Sequence, residues 1–182
     1  PLLSIIMNRI VELFQKKDQD ILNIYFTAGY PQLQDTTTII RALEEAGVDL
    51  IEIGMPYSDP LADGPTIQES GTQAIKNGMT LDLLFQQIEE VRQHSEIPLV
   101  MMGYFNQVMQ YGEEKFFKRV AEVGVDGLIL PDLPIFEYET FYKDILEAND
   151  LTISFLITPQ TSEERIRKID ALTRGFIYMV SN

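Results

Sequence analysis

Six short runs of apolar residues recur along the chain and predict buried β-strands. Each run is continuous or nearly continuous in Ile, Leu, Val, Met, Phe and Tyr, which is typical of parallel strands covered on both faces. The predicted strands are residues 22–27, 49–53, 98–102, 126–130, 152–156 and 175–179. We therefore expect a parallel sheet with helices packed against it.

Between these runs, apolar residues recur at helical spacing. The predicted helices are residues 35–46, 83–93, 113–123, 136–148 and 163–172, with a further short helix near residues 66–76. Asp82 is the predicted N-cap of the second helix, and Thr161 and Ser162 are candidates for the last. Gly47 and Gly124 follow two of the helices, at the position where a glycine commonly ends one.

The predicted strands are spaced like βα units. Their starts recur every 23–28 residues, apart from one gap of 49 between the second and third. This repeat favours a (β/α)8 TIM barrel over an open, doubly wound sheet, and no Gly-x-Gly-x-x-Gly follows the first strand. Because a complete barrel has eight strands, we expect residues 1–182 to form one barrel domain with only about the first six βα units. Strands 7 and 8 are expected to be missing, and residues 1–6 to be a possible extension.

Charge and composition exclude several classes of function. The formal net charge of −14 argues against a surface for nucleic acid or an anionic membrane, which would need a basic patch. The absence of Cys excludes disulfides, thiol nucleophiles and thiolate metal sites, and it fits the reducing cytoplasm. No apolar run approaches the ~18 residues that indicate a membrane span. We therefore expect a cytoplasmic protein that binds neither nucleic acid nor a membrane.

Few side chains are available for catalysis at the predicted strand ends. The single His94 lies at the end of a polar helix, where we expect it to be solvated, and this argues against His-based chemistry and against a metal site. The candidates are instead carboxylate, tyrosine and amide side chains. They are Glu52, Asp63, Tyr104, Asn106, Asp132, Tyr178 and Asn182. Proton transfer by a carboxyl group is the favoured chemistry.

Glu52 is the sharpest of these candidates because it lies inside an apolar strand, two residues before Gly54. A buried carboxylate is costly unless it is paired or used. Residues 50, 52 and 54 share one face of the strand, which we expect to point to the barrel axis. Burial there should raise the pKa of Glu52 and suit it to proton transfer. The alternative is a structural Glu, and Asp59 and Asp63 are also compatible with ordinary turn positions.

Five segments together resemble one family, the tryptophan synthase alpha subunit. The most specific is IEIGMPYSDPLADGPTIQ at residues 51–68. The others, in matching order and spacing, are YFTAGYP (25–31), MMGYFN (101–106), GLILPDLP (127–134) and FIYMVS (176–181). The resemblance extends from about Met7 to the end of the chain.

This resemblance implies a (β/α)8 barrel that cleaves indole-3-glycerol phosphate to indole and glyceraldehyde 3-phosphate. It implies no cofactor in this chain. It also implies a beta subunit that carries pyridoxal phosphate and receives the indole, in an alpha2beta2 heterotetramer. In the family, the last quarter of the chain supplies a mobile loop and the loops that bind phosphate. We therefore expect these 182 residues to be inactive alone.

The resemblance also implies roles for individual residues. Glu52 matches the general acid/base that protonates the indole ring carbon, and Asp63 matches the carboxylate that binds the indole N–H. Four residues match the substrate pocket: Tyr178, Tyr25, Ile67 and Met102. Four others match the contact with the beta subunit: Asp59, Pro60, Asn106 and Pro134.

Two other functions stay open at this point. One is a different phosphate-binding barrel enzyme, such as another step of indole or thiamine biosynthesis. Such barrels commonly place Lys near the strand ends, whereas none of the 14 Lys and Arg residues of this chain lies at the C-terminal end of a predicted strand. The other is a non-catalytic alpha-like subunit that only binds a beta partner.

Overall fold

A computed structural model describes residues 7–181 of the chain, so the possible extension at residues 1–6 and the candidate Asn182 lie outside the described residues. The strands are Asn23–Thr27 (β1), Leu50–Gly54 (β2), Leu99–Met102 (β3), Gly127–Ile129 (β4), Thr152–Ile153 (β5), Leu156–Ile157 (β6) and Tyr178–Met179 (β7). The helices are Arg9–Lys16 (α1), Asp35–Glu45 (α2), Pro65–Lys76 (α3), Leu81–Arg92 (α4), Phe105–Tyr111 (α5), Glu113–Glu122 (α6), Ile135–Glu137 (α7), Lys143–Ala148 (α8) and Glu163–Leu172 (α9), with a π-helical turn at Tyr138–Tyr142 between α7 and α8.

The strands are parallel and follow one another in chain order. Strands β1 to β5 form one sheet in the order β1-β2-β3-β4-β5, and β6 pairs with β7. Strands β5 and β6 lie on one extended segment: the Ser154 N–H donates to the Leu128 carbonyl at 3.0 Å, and the Tyr178 N–H donates to the Phe155 carbonyl at 2.9 Å. This unbroken order is that of a barrel, because a doubly wound sheet reverses its order at a switch point. All six predicted strands are confirmed, with the fifth divided in two.

The two faces of β2 have the orientations that the sequence predicts. Ile51 and Ile53 belong to the large outer core, together with helix residues such as Phe85. Leu50 belongs to a separate inner cluster with Val100, Ile129 and Ile10. Because Ile10 is on α1, this helix closes the barrel interior at the N-terminal ends of the strands.

Several helices differ from the predicted ones. The short predicted helix at residues 66–76 is confirmed as α3, whereas α1 and α5 were not predicted. Asp82 is not the N-cap of α4, and that prediction was wrong. Thr80 takes the position, accepting a hydrogen bond from the Leu83 N–H at 3.2 Å, while Asp82 accepts one from the Tyr111 hydroxyl at 2.7 Å. Ser162 is confirmed as the N-cap of α9.

A buried ion-pair network around Asp126 joins the N-terminal ends of the strands. Arg92 on α4 donates to Asp126 Oδ2, and Arg9 on α1 donates to Oδ1, both at 3.0 Å. The Leu99 N–H donates to Oδ2 at 2.9 Å. Burial raises the pKa of Asp126 and lowers that of Arg92 to about 10, although the two charges attract each other. The network fixes α1 and α4 against the start of β3.

Within residues 7–181, the helices are all too short or too polar to cross a membrane.

Candidate active site

A cavity of about 600 Å³ opens at the C-terminal ends of the strands. The parallel strands and their following loops converge at this end, which is where barrel enzymes place their active sites. All four residues predicted to bind substrate line the cavity, and so does Asp63. These residues are Tyr25 on β1, Asp63 and Ile67 after β2, Met102 on β3 and Tyr178 on β7.

Glu52 lies beneath this cavity, on the inward face of β2. Its side chain is buried, with the residue 2% exposed, and it is not among the residues that line the cavity wall. Asn23 on β1 donates a hydrogen bond from Nδ2 to Glu52 Oε1. Burial raises the pKa of Glu52, and the hydrogen bond from Asn23 opposes this rise. A carboxyl group with a raised pKa can hold a proton at a pH where an exposed Glu has lost it.

Tyr25 lies between the two carboxylates that the sequence singles out. Burial raises the pKa of Tyr25, and the charges of Asp63 and Glu52 raise it further. Its hydroxyl oxygen occupies the space above Gly54, where an added Cβ atom would lie only 2.1 Å away. Gly54 is therefore required for the ring of Tyr25 to lie against the end of β2. Tyr178 lies on β7, and its pKa is raised by burial and by Glu52.

Asp63 lies in the loop that follows β2, and this loop is tied to the segment between β3 and α5. The Ala62 N–H donates to the Tyr104 hydroxyl oxygen at 3.0 Å. Burial raises the pKa of that hydroxyl, and the adjacent Asp63 carboxylate raises it further. On the other side, Gln68 Nε2 donates to the Asp63 carbonyl at 2.8 Å. The loop thus places Asp63 at the cavity wall as a half-buried residue.

The four residues predicted to contact a partner lie on three neighbouring loops at the same end of the barrel. Asp59 and Pro60 follow β2, Asn106 lies in the first turn of α5 after β3, and Pro134 precedes α7 after β4. Asp59, Asn106 and Pro134 are exposed, whereas Pro60 is half-buried and also lines the cavity. Asn106 donates from Nδ2 to the Tyr57 hydroxyl oxygen at 2.5 Å, which ties two of the loops together.

Cationic side chains are absent from the described cavity wall: its lining contains no Lys, Arg or His. His94 is exposed just after α4, near the N-terminal ends of the strands, so its predicted solvation is confirmed. The described residues also contain no group of three or more His, Asp and Glu placed to hold a metal ion. The chemistry available at the cavity is therefore that of carboxyl, hydroxyl and backbone groups.

Tyr57 and Asn23 are among the residues at the site that were not predicted. Tyr57 lines the cavity, with its ring centroid 5.0 Å from that of Tyr104. Asn23 contacts Glu52 directly. The sequence contained a signal for Asn23, because an amide within an apolar strand is as unexpected as the carboxylate of Glu52. Tyr57 lies within the segment 51–68 that resembles the family, but a single aromatic residue in a loop gives no signal of its own.

A family model described as tryptophan synthase alpha chain matches residues 11–182. The chain belongs to the tryptophan synthase alpha chain family. The alpha chain of Flavobacterium psychrophilum is 60% identical over 176 residues, which cover 97% of this chain and 69% of that relative. The alpha chain of Parabacteroides distasonis is 57% identical over 176 residues, covering 97% and 68% of the two chains.

Solved structures of the family have the same fold. The tryptophan synthase subunit alpha from Legionella pneumophila matches with a TM-score of 0.89 and 34% identity, covering 96% of this chain and 68% of that one. The A-subunit from Pyrococcus furiosus matches with a TM-score of 0.82 and 42% identity, covering 88% and 64%. The prediction of a partial TIM barrel is confirmed.

Members of the tryptophan synthase alpha chain family are lyases of tryptophan biosynthesis. They cleave indole-3-glycerol phosphate to indole and glyceraldehyde 3-phosphate, and the alpha chain has no cofactor of its own. Membership of the family excludes the alternative of a different phosphate-binding barrel enzyme and confirms the predicted reaction. It does not by itself assign a role to any residue.

Proposed function

We propose that Glu52 is the general acid and base of the cleavage reaction and that Asp63 stabilises positive charge on the indole ring. The observation that carries this proposal is the burial of Glu52 beneath a cavity at the C-terminal ends of the strands, with one amide as its hydrogen-bond donor. Asp63 lies at the wall of the same cavity. The two carboxyl groups therefore differ in environment, which is how one site holds an acid and an anion together.

In this reaction, protonated Glu52 transfers its proton to the indole ring carbon that bears the glycerol chain. The ring becomes a cation and can accept the electron pair of the breaking carbon–carbon bond. Asp63 accepts a hydrogen bond from the ring N–H and offsets the developing charge. The adjacent glycerol hydroxyl becomes the aldehyde oxygen as it loses its proton, which the Glu52 carboxylate accepts. Each turnover thus returns Glu52 to its protonated form.

The walls of the cavity suit the apolar half of the substrate. Tyr25, Ile67, Met102 and Tyr178 supply aromatic and aliphatic surface around the place proposed for the indole. Since the described wall carries no cationic side chain, we assign phosphate binding to backbone N–H groups and helix N-termini.

The test is the release of indole by the alpha–beta complex with the Glu52→Gln substitution. We expect turnover to fall by ~10²–10⁴-fold, the contribution of one general acid, while the substrate still binds. Glu45→Gln is the matched control, because Glu45 is exposed on α2, and it should keep full activity. A Glu52→Gln variant that kept more than about a tenth of the turnover would contradict the assignment.

We also propose that the loops after β2, β3 and β4 bind a beta subunit that carries pyridoxal phosphate, in an alpha2beta2 heterotetramer in the cytoplasm. The support is that Asp59, Asn106 and Pro134 are exposed together at the cavity end. A tryptophan synthase complex from Pyrococcus furiosus is also among the similar structures. The described residues are proposed to act in it as one domain.

The test of this surface is the affinity of the alpha chain for the beta subunit. Asn106→Ala removes the hydrogen bond to Tyr57 that joins two loops, and we expect a severalfold weaker complex, since one neutral hydrogen bond contributes about 1 kcal/mol. Gln93→Ala is the control, because Gln93 is exposed at the C-terminal end of α4, at the opposite end of the barrel. Equal affinities of the two variants would place the partner elsewhere.

A further inference from the structure

Asn23 approaches the carboxyl group of Glu52 from the side opposite the cavity. On β1 it precedes Tyr25 by two residues, so both side chains point inward, and its Cα pairs with that of Leu50, next to the N-terminal end of the barrel. Its Nδ2 donates to Glu52 Oε1. Among residues 7–181, no hydrogen-bond donor contacts Oε2. One oxygen of the carboxyl group is held from below, and the other is left without a protein partner.

The other end of the Asn23 amide has no partner at all. Asn23 Oδ1 is buried and accepts no hydrogen bond within the described part of the chain. An unpaired buried carbonyl destabilises a folded protein, and an apolar side chain of the same shape removes that cost. An amide at this position is therefore a poor choice for stability. Its hydrogen bond to Glu52 is the contact that an apolar residue cannot make.

We propose that Asn23 is a positioning residue, which binds Glu52 Oε1 and so leaves Oε2 as the oxygen that exchanges a proton with the substrate. The inference rests on the proposed role of Glu52. In addition to that role, Asn23 on β1 sets the orientation of the Glu52 carboxyl group. Without Asn23 the carboxyl group is free to rotate and to present either oxygen, and misplaced catalytic groups lose rate.

Asn23 also has an electrostatic effect on Glu52. A hydrogen bond donated to a carboxylate favours the charged form, so it keeps the pKa of Glu52 below the value that burial alone would give. The titratable groups that face Glu52 are Tyr25 on β1 and Tyr178 on β7, and burial raises the pKa of both. The neighbour on β3 is Val100, which is apolar. Removal of Asn23 should therefore change the pKa of Glu52 without competition from a nearby cation.

The experiment compares Asn23→Leu with Gln87→Met, both of similar shape to the residues they replace. Gln87 on α4 is a matched control: it is buried, its Nε2 donates one hydrogen bond to the Leu33 carbonyl at 2.8 Å, and its Oε1 is buried and unpaired. Both variants lose a half-satisfied amide, but only Asn23 contacts Glu52. Indole release is measured against pH for the alpha–beta complex, together with a ¹³C NMR titration of the Glu52 carboxyl group and a thermal melt.

We expect Asn23→Leu to raise the pKa of Glu52 by about 1 unit, the size of one hydrogen bond to a charged group. If the protonated form of Glu52 starts the reaction, the alkaline limb of the kcat profile moves to higher pH by the same amount. At the optimum pH, kcat should fall about tenfold with little change in KM. The thermal midpoint of Asn23→Leu, measured at acid pH, should equal or exceed that of the unsubstituted chain. Gln87→Met should reproduce the change in midpoint and none of the other changes.

Two outcomes separate this inference from the proposed function. If Glu52→Gln is inactive but Asn23→Leu has the pH profile and kcat of Gln87→Met, Asn23 is structural and the inference is overturned. If Glu52→Gln remains active, the role of Glu52 itself is wrong. In that case the NMR titration still reports whether Asn23 controls the pKa of that carboxyl group.

Discussion

Glu52 and Asp126 are both buried carboxylates, at opposite ends of the same parallel sheet. They are 2% and 3% exposed, and burial raises the pKa of each. Asp126 has two guanidinium groups and a backbone N–H as partners. Glu52 has one neutral amide. Burial alone therefore does not separate a structural carboxylate from a reactive one.

Two features do separate the two carboxylates. Asp126 is at the N-terminal ends of the strands, where α1 and α4 supply enough donors for both oxygens. Glu52 is beneath an open cavity at the C-terminal ends, and one of its oxygens has no donor among the described residues. A carboxyl group with donors on both oxygens fixes the packing of the elements around it, whereas one left with a free oxygen and a raised pKa can move a proton.

Among the substitutions that sharpen this comparison, Asp63→Asn should have the largest effect, and that effect is on turnover. The substitution keeps the shape of the side chain but removes the charge that opposes the cationic ring. We expect kcat to fall by about 10²-fold, while the affinity for substrate changes little, because the interaction strengthens in the transition state. Steady-state kinetics of indole release measure both. If only KM changes, Asp63 positions the substrate and does not stabilise charge.

The next effect is on stability, at the opposite end of the barrel. Asp126→Asn leaves the buried Arg92 without its charged partner, and we expect the free energy of unfolding to fall by about 3–5 kcal/mol. Asp49 occupies the same Gly-Val-Asp position in an earlier repeat, but it pairs with the more exposed Lys17 at 2.8 Å. Asp49→Asn should therefore cost less than about 1 kcal/mol.

Urea unfolding followed by circular dichroism compares the Asp126→Asn and Asp49→Asn variants. The kcat of Asp126→Asn per folded molecule should equal that of the unsubstituted chain. A stable but inactive Asp126→Asn variant would reverse the roles assigned to the two ends of the sheet.

The smallest effect is the dependence of stability on pH. Because folding raises the pKa of Glu52 above its ordinary value of 4.5, the folded state holds this proton more tightly than the unfolded chain. The contribution to stability is complete below pH 4.5 and is lost as pH rises through the folded pKa. Glu52→Gln has no proton to lose, so it should be more stable than the unsubstituted chain at higher pH. The difference should be about 1.4 kcal/mol for each pH unit by which folding raises the pKa of Glu52.

Thermal melts from pH 4 to pH 8 measure this difference, with Glu45→Gln as the exposed control. We expect the melting temperature of Glu52→Gln to exceed that of the unsubstituted chain increasingly as pH rises, and then to level off. A constant difference across this range would mean that the pKa of Glu52 is the same in the folded and unfolded states.

The sequence by itself determined the strands, their parallel order and the carboxylate of Glu52. Hydrophobic runs and helical spacing are local patterns, so the six strands and the inward face of β2 were predicted correctly. The segment at residues 51–68 also identified the family, because its length and composition are specific. The Asp82 cap was predicted wrongly because two polar residues, Thr80 and Asp82, compete for one N-terminus, and a contact of Asp82 with Tyr111, 29 residues away, decides between them.

Only the tertiary structure decided which groups surround each carboxylate. Asn23 and Glu52 are separated by 29 residues, and Arg9 and Asp126 by 117. The parallel register between β1 and β2 brings the first pair together, and the packing of α1 across the barrel brings the second. A pKa depends on burial and on partners in space. For this reason the sequence indicated an unusual carboxylate, whereas the fold shows which one is saturated with charged partners and which has an oxygen left for a substrate.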